Sequence, residues 1–388
     1  MKTETVKGFR DFTGKEAEKR NIIREIISKT FRKYNFEQIE TPIIEYEEFV
    51  KGDNTQDEAV SDIFKLTDKG KRKLALRYEF TFQLKRLAKN KKLPYKRFQI
   101  GPVFRDEPIS ANRLRQFTQC DIDIVGSNIK SEAEILFITK EILNNLKVKS
   151  ILYVNNRKLL DEILADLKIK NKDQVLREID KLDKLPKKEV KENLKKLNAD
   201  KILNIFDQSP TYFKKYPAYK EIEELKKYCK YYKINIVFAP FLTRGLSYYN
   251  GNVFEIKSNI KETICAGGSY IVNGIQSTGI SLGIERLQLV AKTASDIERV
   301  LVVSLNQDKE AIQLAQKLRT QGMNTTIFYG KPSKALEYAN SYNIKKTIFV
   351  GAKEVQKKKF KVKDMKTGKE KYITIQKVSK KNVVLKKK

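Results

Sequence analysis

The stretch FRDEPISANRLRQFTQCDID, residues 104–123, joins an arginine-rich loop to a segment with polar side chains at every second position. If residues 117–125 form a β-strand, every second side chain projects from the same face of the sheet. The side chains on that face would be Phe117, Gln119, Asp121 and Asp123. Two carboxylates and an amide that are buried together require a ligand. A solvated sheet face requires none, and periodicity alone leaves both interpretations open.

Further extended segments and two long helices are predicted around this stretch. The strands expected nearby are residues 74–77, 97–104 and 117–125, and the last two should pair antiparallel because only a loop separates them. Thr13 with Glu16, and Ser131 with Glu134, have capping-box spacing and predict the starts of helices with apolar residues at helical intervals. Together these elements predict an α+β domain with a mixed, mainly antiparallel sheet.

The remaining segments predict an insertion and a second domain. A chain of 388 residues with 40% apolar content fits roughly two to three domains. Beyond residue 295, strands predicted at 300–304, 325–328 and 347–350 alternate with two helices, as in a parallel α/β sheet, and a hairpin follows around Thr367. The predicted organisation is a core of residues 1–156 and 232–294, a helical insertion at 157–231, an α/β domain at 295–378 and a basic tail at 379–388.

The charge of the chain favours a polyanionic partner. Eighty Lys and Arg residues face 48 Asp and Glu residues, which gives a net charge of +32. Such an excess favours contacts with phosphates through counterion release. The alternative is a lysine coat over all surfaces without nucleic acid binding. Part of the charge is concentrated, because residues 356–388 contain 14 Lys against Asp364 and Glu370 alone.

The absence of histidine restricts the possible chemistry. Histidine is the usual general base and the commonest transition-metal ligand near neutral pH, and this chain has none. Its three cysteines, Cys120, Cys229 and Cys265, are too far apart for a metal knuckle, so no metal-ligand set is expected. Nowhere do about 18 uninterrupted apolar residues occur, so we expect no membrane span and a cytoplasmic protein with reduced thiols.

Three segments resemble the motifs shared by class II aminoacyl-tRNA synthetases. The order Phe-Arg-x-Glu, loop, Arg-x-x-x-Phe at 104–117 is similar to motif 2 of that class. Thr41-Pro42 after the first helix resembles motif 1, and GISLGIERL at 279–287 resembles motif 3. The resemblance implies a class II catalytic core, with a C-terminal domain similar to an anticodon-binding domain.

Two further segments resemble signatures particular to the histidyl-tRNA synthetases. They are RGLSYYNG at residues 244–251 and AGGSY at 266–270. Additional similarities are GFRDF at 8–12, LRYEFT at 76–81 and IDKLDK at 179–184. The sequences of residues 76–81 and 119–126 most resemble those of the archaeal and eukaryotic branch of the family.

The resemblance assigns ATP contacts to residues of the loop and the sheet. Arg105 would bind the α-phosphate, Arg113 would reach the γ-phosphate, and Arg286 would lie on the opposite side of the nucleotide. Glu107 and Phe117 would contact the adenine. Arginine suits these positions because its planar guanidinium stays charged and forms paired hydrogen bonds with phosphates.

The resemblance also assigns the histidine contacts. The residues expected at the amino acid are Glu79, Phe80, Thr81, Arg105, Gln119, Asp123, Arg244, Tyr248 and Tyr249. Glu79, Thr81 and Gln119 would hold the amino end, and Asp123 with one of the two tyrosines would reach the imidazole. Arg244 and Arg105 would be the catalytic residues, because a cation must balance the charge where the carboxylate attacks the α-phosphate.

The implied reaction is the activation of L-histidine by ATP, with Mg²⁺ on the outer phosphates, followed by transfer to tRNA(His). The motif 1 resemblance implies a homodimer. The chain departs from the family pattern at Ser247 and Ile271, where Asp is usual, and at Ser269, where Arg is usual. Such changes would affect the support of the site and not its direct contacts.

Two other functions compete with this one. An inactive paralogue could serve as the regulatory subunit of the histidine-biosynthetic phosphoribosyltransferase, which resembles the synthetase core. That paralogue generally lacks both the RGLxYY signature and the C-terminal domain. A basic RNA-binding module without chemistry has no use for Glu79, Gln119 and Asp123 in one small pocket.

Overall fold

The computed structural model describes residues 1–52, 58–110, 112–183, 185–243, 248–293 and 298–374. In chain order the first strands are β1 (Glu37–Gln38), β2 (Ile44–Tyr46), β3 (Lys65–Thr67), β4 (Lys73–Leu76), β5 (Tyr95–Phe104), β6 (Gln116–Val125), β7 (Ile151–Asn156), β8 (Val237–Phe238), β9 (Tyr249–Lys257), β10 (Cys265–Val272) and β11 (Ile275–Gly283). The first helices are α1 (Gly14–Lys33), α2 (Glu47–Lys51), α3 (Glu58–Ser61), α4 (Leu84–Leu87), α5 (Ile129–Asn145), α6 (Arg157–Asp166), α7 (Lys172–Asp180), α8 (Lys187–Lys196), α9 (Ile202–Phe206), α10 (Tyr219–Tyr231) and α11 (Ile284–Val290). Short 3-10 turns occur at Lys181–Asp183 and Pro210–Lys215.

Eight of these strands form the sheet at the centre of the first unit, Met1–Ala294. Their order is β1-β5-β6-β11-β10-β9-β7-β8. The six inner strands pair antiparallel, and only the two-residue edge strands β1 and β8 pair parallel. The mixed, mainly antiparallel sheet expected from the sequence is therefore confirmed. A separate small sheet has the order β2-β4-β3.

One face of the large sheet carries the main hydrophobic core. Cys120 and Ile122 of β6 are fully buried and belong to the same apolar cluster as Ile27 of α1 and Ile138 of α5. Because side chains alternate along a strand, the intervening residues of β6 face the other side of the sheet. The sequence pattern of β6 therefore divides an apolar core from a polar face.

Residues 157–231 are helical, as expected, and their apolar faces extend the same core. Leu160, Ile163, Val190 and Leu225 are buried in the cluster that also contains the residues of α5. This arrangement explains the apolar periodicity of a segment that is otherwise rich in charge. In the described ranges, no helix combines the length and the apolar character required to cross a membrane.

Two predicted capping boxes differ from the observed helix starts. The fifth helix begins one turn earlier than Ser131, because the side chain of Asn128 caps it and accepts from the Ser131 amide at 3.2 Å. Thr13 is the N-cap of α1, but its side chain makes no capping bond. Glu16 instead binds Arg10 at 2.8 Å and accepts from Gln288 at 3.1 Å. Tertiary partners have replaced the local contact.

The apolar segment at 234–238 forms only a short strand. Only Val237 and Phe238 pair with the sheet, through Tyr153 and Val154 of β7. Ile234 is buried against the main core, so its apolar character reflects packing and not strand pairing. Short apolar runs do not distinguish these alternatives by periodicity.

The second unit, Ser295–Lys388, contains its own sheet. Its strands are β12 (Arg299–Ser304), β13 (Asn324–Tyr329), β14 (Lys346–Val350), β15 (Lys359–Asp364) and β16 (Glu370–Thr374), and its helices are α12 (Asp308–Thr320), α13 (Pro332–Ser341) and α14 (Ala352–Gln356). The order is β13-β12-β14-β15-β16, in which the first three strands are parallel and the last two form an antiparallel hairpin. Val302 packs with Leu314 on one face, and Val303 packs with Ala335 on the other. The expected α/β architecture is confirmed.

Candidate active site

A cavity opens on the polar face of the large sheet, opposite the main core. Of the predicted site residues that the structure describes, those lining it are Glu79, Thr81, Arg105, Glu107, Arg113, Phe117, Gln119, Asp123, Tyr248, Tyr249 and Arg286. They come from the segment between β4 and α4, from the loop between β5 and β6, from β6, and from segments more than 120 residues further along the chain. The fold therefore assembles one pocket from residues that are distant in sequence.

Two predicted residues are not placed in this cavity. Phe80 is fully buried, its carbonyl oxygen accepts from Arg97 Nη2 at 3.1 Å, and it is not among the residues that line the cavity. Arg244 lies outside the described residues, as does Ser247, and its role stays a prediction.

Guanidinium groups occupy one end of the cavity. Arg113 Nη1 lies 3.0 Å from Glu107 Oε2, and Arg105 Nη1 lies 3.7 Å from Glu107 Oε1. Arg105 Nε also donates to the Tyr78 carbonyl at 3.2 Å, and its guanidinium lies 5.3 Å from the ring centroid of Phe117. One carboxylate thus holds two guanidiniums beside an aromatic ring. A phosphate group would find several preoriented donors here.

Arg286 contributes a third guanidinium from helix α11. Its Nη1 donates to the Thr263 carbonyl at 2.7 Å, which fixes the side chain at the cavity wall. The preceding residue, Glu285, accepts from the Thr118 amide at 3.0 Å and binds Arg20 at 2.7 Å. These bonds attach the start of α11 to strand β6.

Carboxylates and amides occupy the other end of the cavity. Asp123 Oδ2 lies 2.7 Å from Nη2 of the fully buried Arg97, and its Oδ1 accepts from the Tyr270 hydroxyl. Burial raises the pKa of Asp123, whereas Arg97 and the Tyr270 hydroxyl oppose that rise. Oδ1 of Asp123 therefore has a hydrogen-bond donor before any ligand is bound, whereas Oδ2 has a counter-charge but no hydrogen-bond donor.

The remaining polar groups at this end offer acceptors to a ligand. The Tyr248 hydroxyl donates to Glu79 Oε2 at 3.2 Å, and Gln119 Nε2 donates to Ser281 Oγ at 2.7 Å. The Oε1 atom of Gln119 is buried without a hydrogen-bond partner. Burial, followed by the charge of Glu79, raises the pKa of Tyr248, so its hydroxyl stays protonated and can donate.

Two glycines let the strands approach beside Asp123. A Cβ atom on Gly279 would lie 2.1 Å from Asp123 Oδ1, and one on Gly267 would lie 2.1 Å from the Gly279 carbonyl oxygen. Neither contact is possible, so both positions require glycine. This steric requirement explains the glycines in the AGGSY and GISLG segments.

Sequence reasoning did not assign a role to several residues of the site. Asp121 lines the cavity and was recognised only as a member of the polar face. Arg97 and Tyr270 hold Asp123; Tyr270 belongs to the AGGSY segment, but the sequence assigned no role to either residue. Arg97 follows Lys96, which faces the opposite side and binds Glu134 at 2.8 Å, so strand alternation was the available signal.

The two departures that the structure describes lie away from the cavity lining. Ser269 is buried, and its hydroxyl donates to Glu132 Oε1. Asn252 Nδ2 donates to the other oxygen of that carboxylate at 2.7 Å. Ile271 is 47% exposed. Neither side chain lines the cavity.

The antiparallel sheet, the arginine loop between β5 and β6 and the helix that follows β11 define a class II aminoacyl-tRNA synthetase core. A histidyl-tRNA synthetase family model matches residues 8–287, and an anticodon-binding domain model matches residues 299–385. The chain belongs to the histidyl-tRNA synthetase family.

Curated relatives match nearly the whole chain. "Histidine--tRNA ligase 2" of Shouchella clausii is 32% identical over 95% of this chain and 98% of its own length. "Histidine--tRNA ligase 1" of Bacillus cereus is 32% identical over 98% of this chain and 99% of its own length. The match to full-length ligases includes both units of the chain.

Solved structures show the same fold. The histidyl-tRNA synthetase of Nostoc sp. PCC 7120 superimposes with a TM-score of 0.82 at 24% identity and covers 96% of this chain and 97% of its own. A Bacillus halodurans protein described as an ATP phosphoribosyltransferase regulatory subunit/histidyl-tRNA synthetase superimposes with a TM-score of 0.77 at 21% identity. The match covers 89% of this chain and 98% of the other. At these identities the likeness shows the fold alone.

The comparisons do not confirm the expected archaeal and eukaryotic branch. The relatives at 32% identity are bacterial, whereas the archaeal ligase of Methanococcus aeolicus is 30% identical.

Proposed function

We propose that this protein activates L-histidine with ATP and transfers it to tRNA(His). The observation that carries the proposal is the polarity of the cavity, which has guanidiniums at one end and buried acceptors at the other. An amino acid and a nucleoside triphosphate need these two environments side by side. The reacting carboxylate and the α-phosphate would meet between them.

In the first step a carboxylate oxygen of histidine attacks the α-phosphorus of ATP. The new bond forms histidyl-adenylate, and the bond from the α-phosphorus to the bridging oxygen breaks, so pyrophosphate leaves. Arg105 would bind the α-phosphate from one side, and Arg244 would balance charge from the other. In the second step a terminal ribose hydroxyl of the tRNA attacks the carbonyl carbon, and AMP leaves.

The nucleotide would lie across the arginine loop. Arg113, which is 49% exposed, can turn from Glu107 to the γ-phosphate, and Arg286 would bind from the opposite side. Phe117 and Glu107 would contact the adenine. Arg105 already lies over Phe117, so this part of the pocket is preformed.

Histidine would bind at the acidic end. The ammonium group would donate hydrogen bonds to Glu79, Thr81 and the unpartnered Oε1 of Gln119. The ring would lie toward Asp123, with the hydroxyl of Tyr248 or Tyr249 next to it. The two tyrosine rings are 4.8 Å apart, and Tyr248 packs at 5.5 Å against Tyr270, so the wall around the ring is aromatic.

Members of this family use ATP together with a divalent cation, and we propose Mg²⁺. Among the described residues, no three Asp, Glu or Cys side chains are grouped to hold a metal ion. Mg²⁺ in ATP-dependent enzymes is usually held by substrate phosphates, water and one or two carboxylates. Glu107 and Glu285 are the carboxylates lining the nucleotide end of the cavity. When bound, the ion would neutralise charge on the departing pyrophosphate.

We further propose a cytoplasmic homodimer related to the archaeal and eukaryotic branch. The three cysteines are buried without disulfides, as in proteins of a reducing compartment.

An exposed apolar surface follows the motif 1 segment. It includes Ile43, Ile44 and Tyr46, which are 41, 49 and 53% exposed. An apolar surface of this kind favours association with a second copy. Light scattering should give twice the chain mass.

Pyrophosphate exchange across the twenty amino acids tests the proposal. Histidine should support exchange of labelled pyrophosphate into ATP, and the other amino acids should support little. Charging of tRNA(His) by the same preparation should follow. No exchange with histidine would contradict the proposal and favour a regulatory subunit without catalysis.

A further inference from the structure

Residues 8–12, GFRDF, have no role in the reaction described above, yet they pack at the base of the arginine loop, residues 105–115. None of them lines the cavity. The Phe9 ring packs edge-on against Phe64 at 5.9 Å and lies 6.4 Å from Phe104, the last residue of β5. The segment is therefore fixed at the point where the arginine loop leaves the sheet.

The main chain of this segment is bonded to the base of the loop. The Gly8 carbonyl oxygen accepts from the Arg115 amide at 2.8 Å and from the Gln116 amide at 3.4 Å. The Arg115 carbonyl oxygen in turn accepts from the Arg105 amide at 2.8 Å. A chain of main-chain hydrogen bonds thus runs from Gly8 to the residue proposed to bind the α-phosphate.

The side chain of Arg115 holds the next two residues of the loop. Its Nη2 lies 3.0 Å from Asp106 Oδ1, and its Nε donates to the Glu107 carbonyl at 3.2 Å. Glu107 is the carboxylate that binds two guanidiniums of the cavity. Arg115 therefore fixes the main chain from which this carboxylate projects.

The packing at Gly8 requires glycine for two separate reasons. Its φ angle is +87°, in the left-handed region where a side chain is unfavourable. A Cβ atom would also lie 2.7, 2.8 and 2.9 Å from Cγ, Cδ and Cβ of Arg115. Gly8→Ala must therefore displace Arg115 by several tenths of an ångström, and the residues bonded to Arg115 move with it.

The other end of the segment contacts residues that support Arg286. The guanidinium of Arg20 lies 3.7 Å from the ring centroid of Phe12. Arg20 also binds Glu285 Oε1 at 2.7 Å, and Glu285 directly precedes Arg286 in the chain. Residues 8–12 are thus connected to both sources of guanidiniums at the nucleotide end of the cavity.

We propose that residues 8–12 are a positioning element for the ATP end of the cavity, in which Gly8 acts through Arg115. Reacting groups must be held within about 0.5 Å of their productive geometry, and a misplacement of about 1 Å can cost roughly 100-fold in rate. The inference rests on the proposed function and deepens it, because it identifies what sets the position of Arg105.

Pyrophosphate exchange by Gly8→Ala tests the inference. The kcat/KM for ATP should fall roughly 10- to 100-fold, because the loop is displaced. The KM for histidine should stay within about threefold, because residues 8–12 do not contact the acidic end of the cavity.

Gly14→Ala is the matched control. Gly14 also has a left-handed φ angle, +52°, and a Cβ atom there would meet no described residue within 4 Å beyond its chain neighbours and its own helix. The variant therefore has similar backbone strain without displacing the loop. Its kcat/KM for ATP and its KM for histidine should both stay within about threefold of wild type.

A second set of variants tests whether Gly8 acts through Arg115. Arg115→Ala removes the contacts with Asp106 and Glu107 and should itself lower kcat/KM for ATP. In that background Gly8→Ala should cause a smaller loss than in wild type, because changes within one network are not additive. Arg115→Lys keeps the aliphatic stem and the charge, so it should lose less than Arg115→Ala.

The possible failures are distinguishable. If folded Gly8→Ala keeps kcat/KM for ATP within about threefold of wild type, or weakens ATP and histidine equally, the inference is wrong and the proposed function stands. The same loss in Gly14→Ala would also overturn it, because backbone strain would then be the cause. If Gly8→Ala does not fold, as judged by circular dichroism, unchanged kinetics in Arg115→Ala would overturn the inference, and a selective loss for ATP would support it. If wild-type protein does not activate histidine, the proposed function fails and the inference fails with it.

Discussion

At the scale of single residues, the site depends on the buried ion pair of Arg97 and Asp123, which the sequence does not predict. Arg97 is fully buried and Asp123 is 5% exposed, so each is costly without the other. Strand alternation predicted the direction of Asp123 correctly, because alternation is a property of the backbone. Its partner could not be predicted, because Arg97 becomes its neighbour only when β5 and β6 pair.

We expect Asp123→Ala to destabilise the protein and to impair histidine binding. The variant leaves Arg97 buried without its counter-charge, which typically lowers the free energy of unfolding by about 3–5 kcal/mol. Tyr270 also loses its acceptor, so the KM for histidine should rise far more than the KM for ATP. Urea denaturation and pyrophosphate exchange measure the two effects. Equal losses for ATP and histidine would argue against a role near the amino acid.

The stability of the protein should depend on pH through Asp121. Burial first, and then the charge of Asp123, raise its pKa from 3.8 to about 7, against the opposing effects of Arg97 and the Ser281 hydroxyl; Glu79 adds to the rise. The folded state therefore binds a proton that the unfolded state releases between about pH 4 and pH 7, so stability falls as pH rises through this range. Asp121→Asn should flatten that slope, and urea titrations of both proteins from pH 4 to pH 8 would measure it. Parallel curves would show that other groups cause the dependence.

Arg244 is expected to act mainly in the transition state. Adenylation spreads additional charge over the α-phosphoryl oxygens, and removing a preorganised donor typically costs about 10² to 10³ in rate. Arg244→Ala should reduce single-turnover adenylate formation by that order while the KM values change only a few-fold. Arg244→Lys should rescue poorly, because an ammonium group lacks the planar pair of donors. A near-normal single-turnover rate would make the segment a binding loop.

At the scale of elements, the sequence predicted strands and helices well and their ends less well. The polar and apolar alternation of residues 117–125 predicted both faces of β6, because it depends on local geometry. The start of α5 was misplaced because Asn128 and Ser131 both have capping side chains: Asn128 is the N-cap, and Ser131 is the third helical residue of the same capping box. Local rules identify candidates for a cap, and tertiary packing selects among them.

A buried hydrogen-bond network connects β10 to the helical insertion. Glu132 accepts from Ser269 and Asn252, Asn252 accepts from Asn156 at 2.9 Å, and Asn156 donates to Glu221 at 2.7 Å. Burial raises the pKa of Glu132, and the two donors oppose the rise. Ser269, one of the departures from the family pattern noted in the sequence, is a member of this network.

Ser269→Ala should therefore reduce stability without impairing adenylation. It leaves one oxygen of the buried Glu132 without a donor, at a cost of about 1–3 kcal/mol. The side chain does not line the cavity, so the KM values for histidine and ATP should stay within about twofold. Ile271→Asp is the matched control at an exposed position of the same strand. A large loss of exchange activity in Ser269→Ala would show that the network shapes the pocket.

At the scale of the whole molecule, the composition predicts a polyanionic binding partner but does not predict the position of an active site. The net charge of +32 fits a protein that binds RNA, but it does not distinguish binding from catalysis. The cavity makes that distinction, because it is assembled from β6, β9, β10, β11 and α11, which meet only in the folded chain. Only the family resemblance connected these distant segments in advance.

The two units have separate cores, so their contributions to the reaction should be separable. Residues 1–294 contain every described residue of the cavity, and the apolar clusters of the second unit include none of their side chains. A protein truncated after Ala294 should keep pyrophosphate exchange with histidine within a few-fold of the full chain. It should lose most of its tRNA charging, because the α/β unit with its basic hairpin is expected to bind the anticodon region.

The salt dependence of the full chain provides the matching measurement. Each phosphate contact that is lost should reduce the slope of log affinity against log salt by about 0.7 to 0.9. The full chain should therefore bind tRNA(His) with a steep salt dependence, and the truncated protein should bind with a shallower one. A truncated protein that charges tRNA(His) at the full rate, with the same salt slope, would show that the second unit does not bind the tRNA.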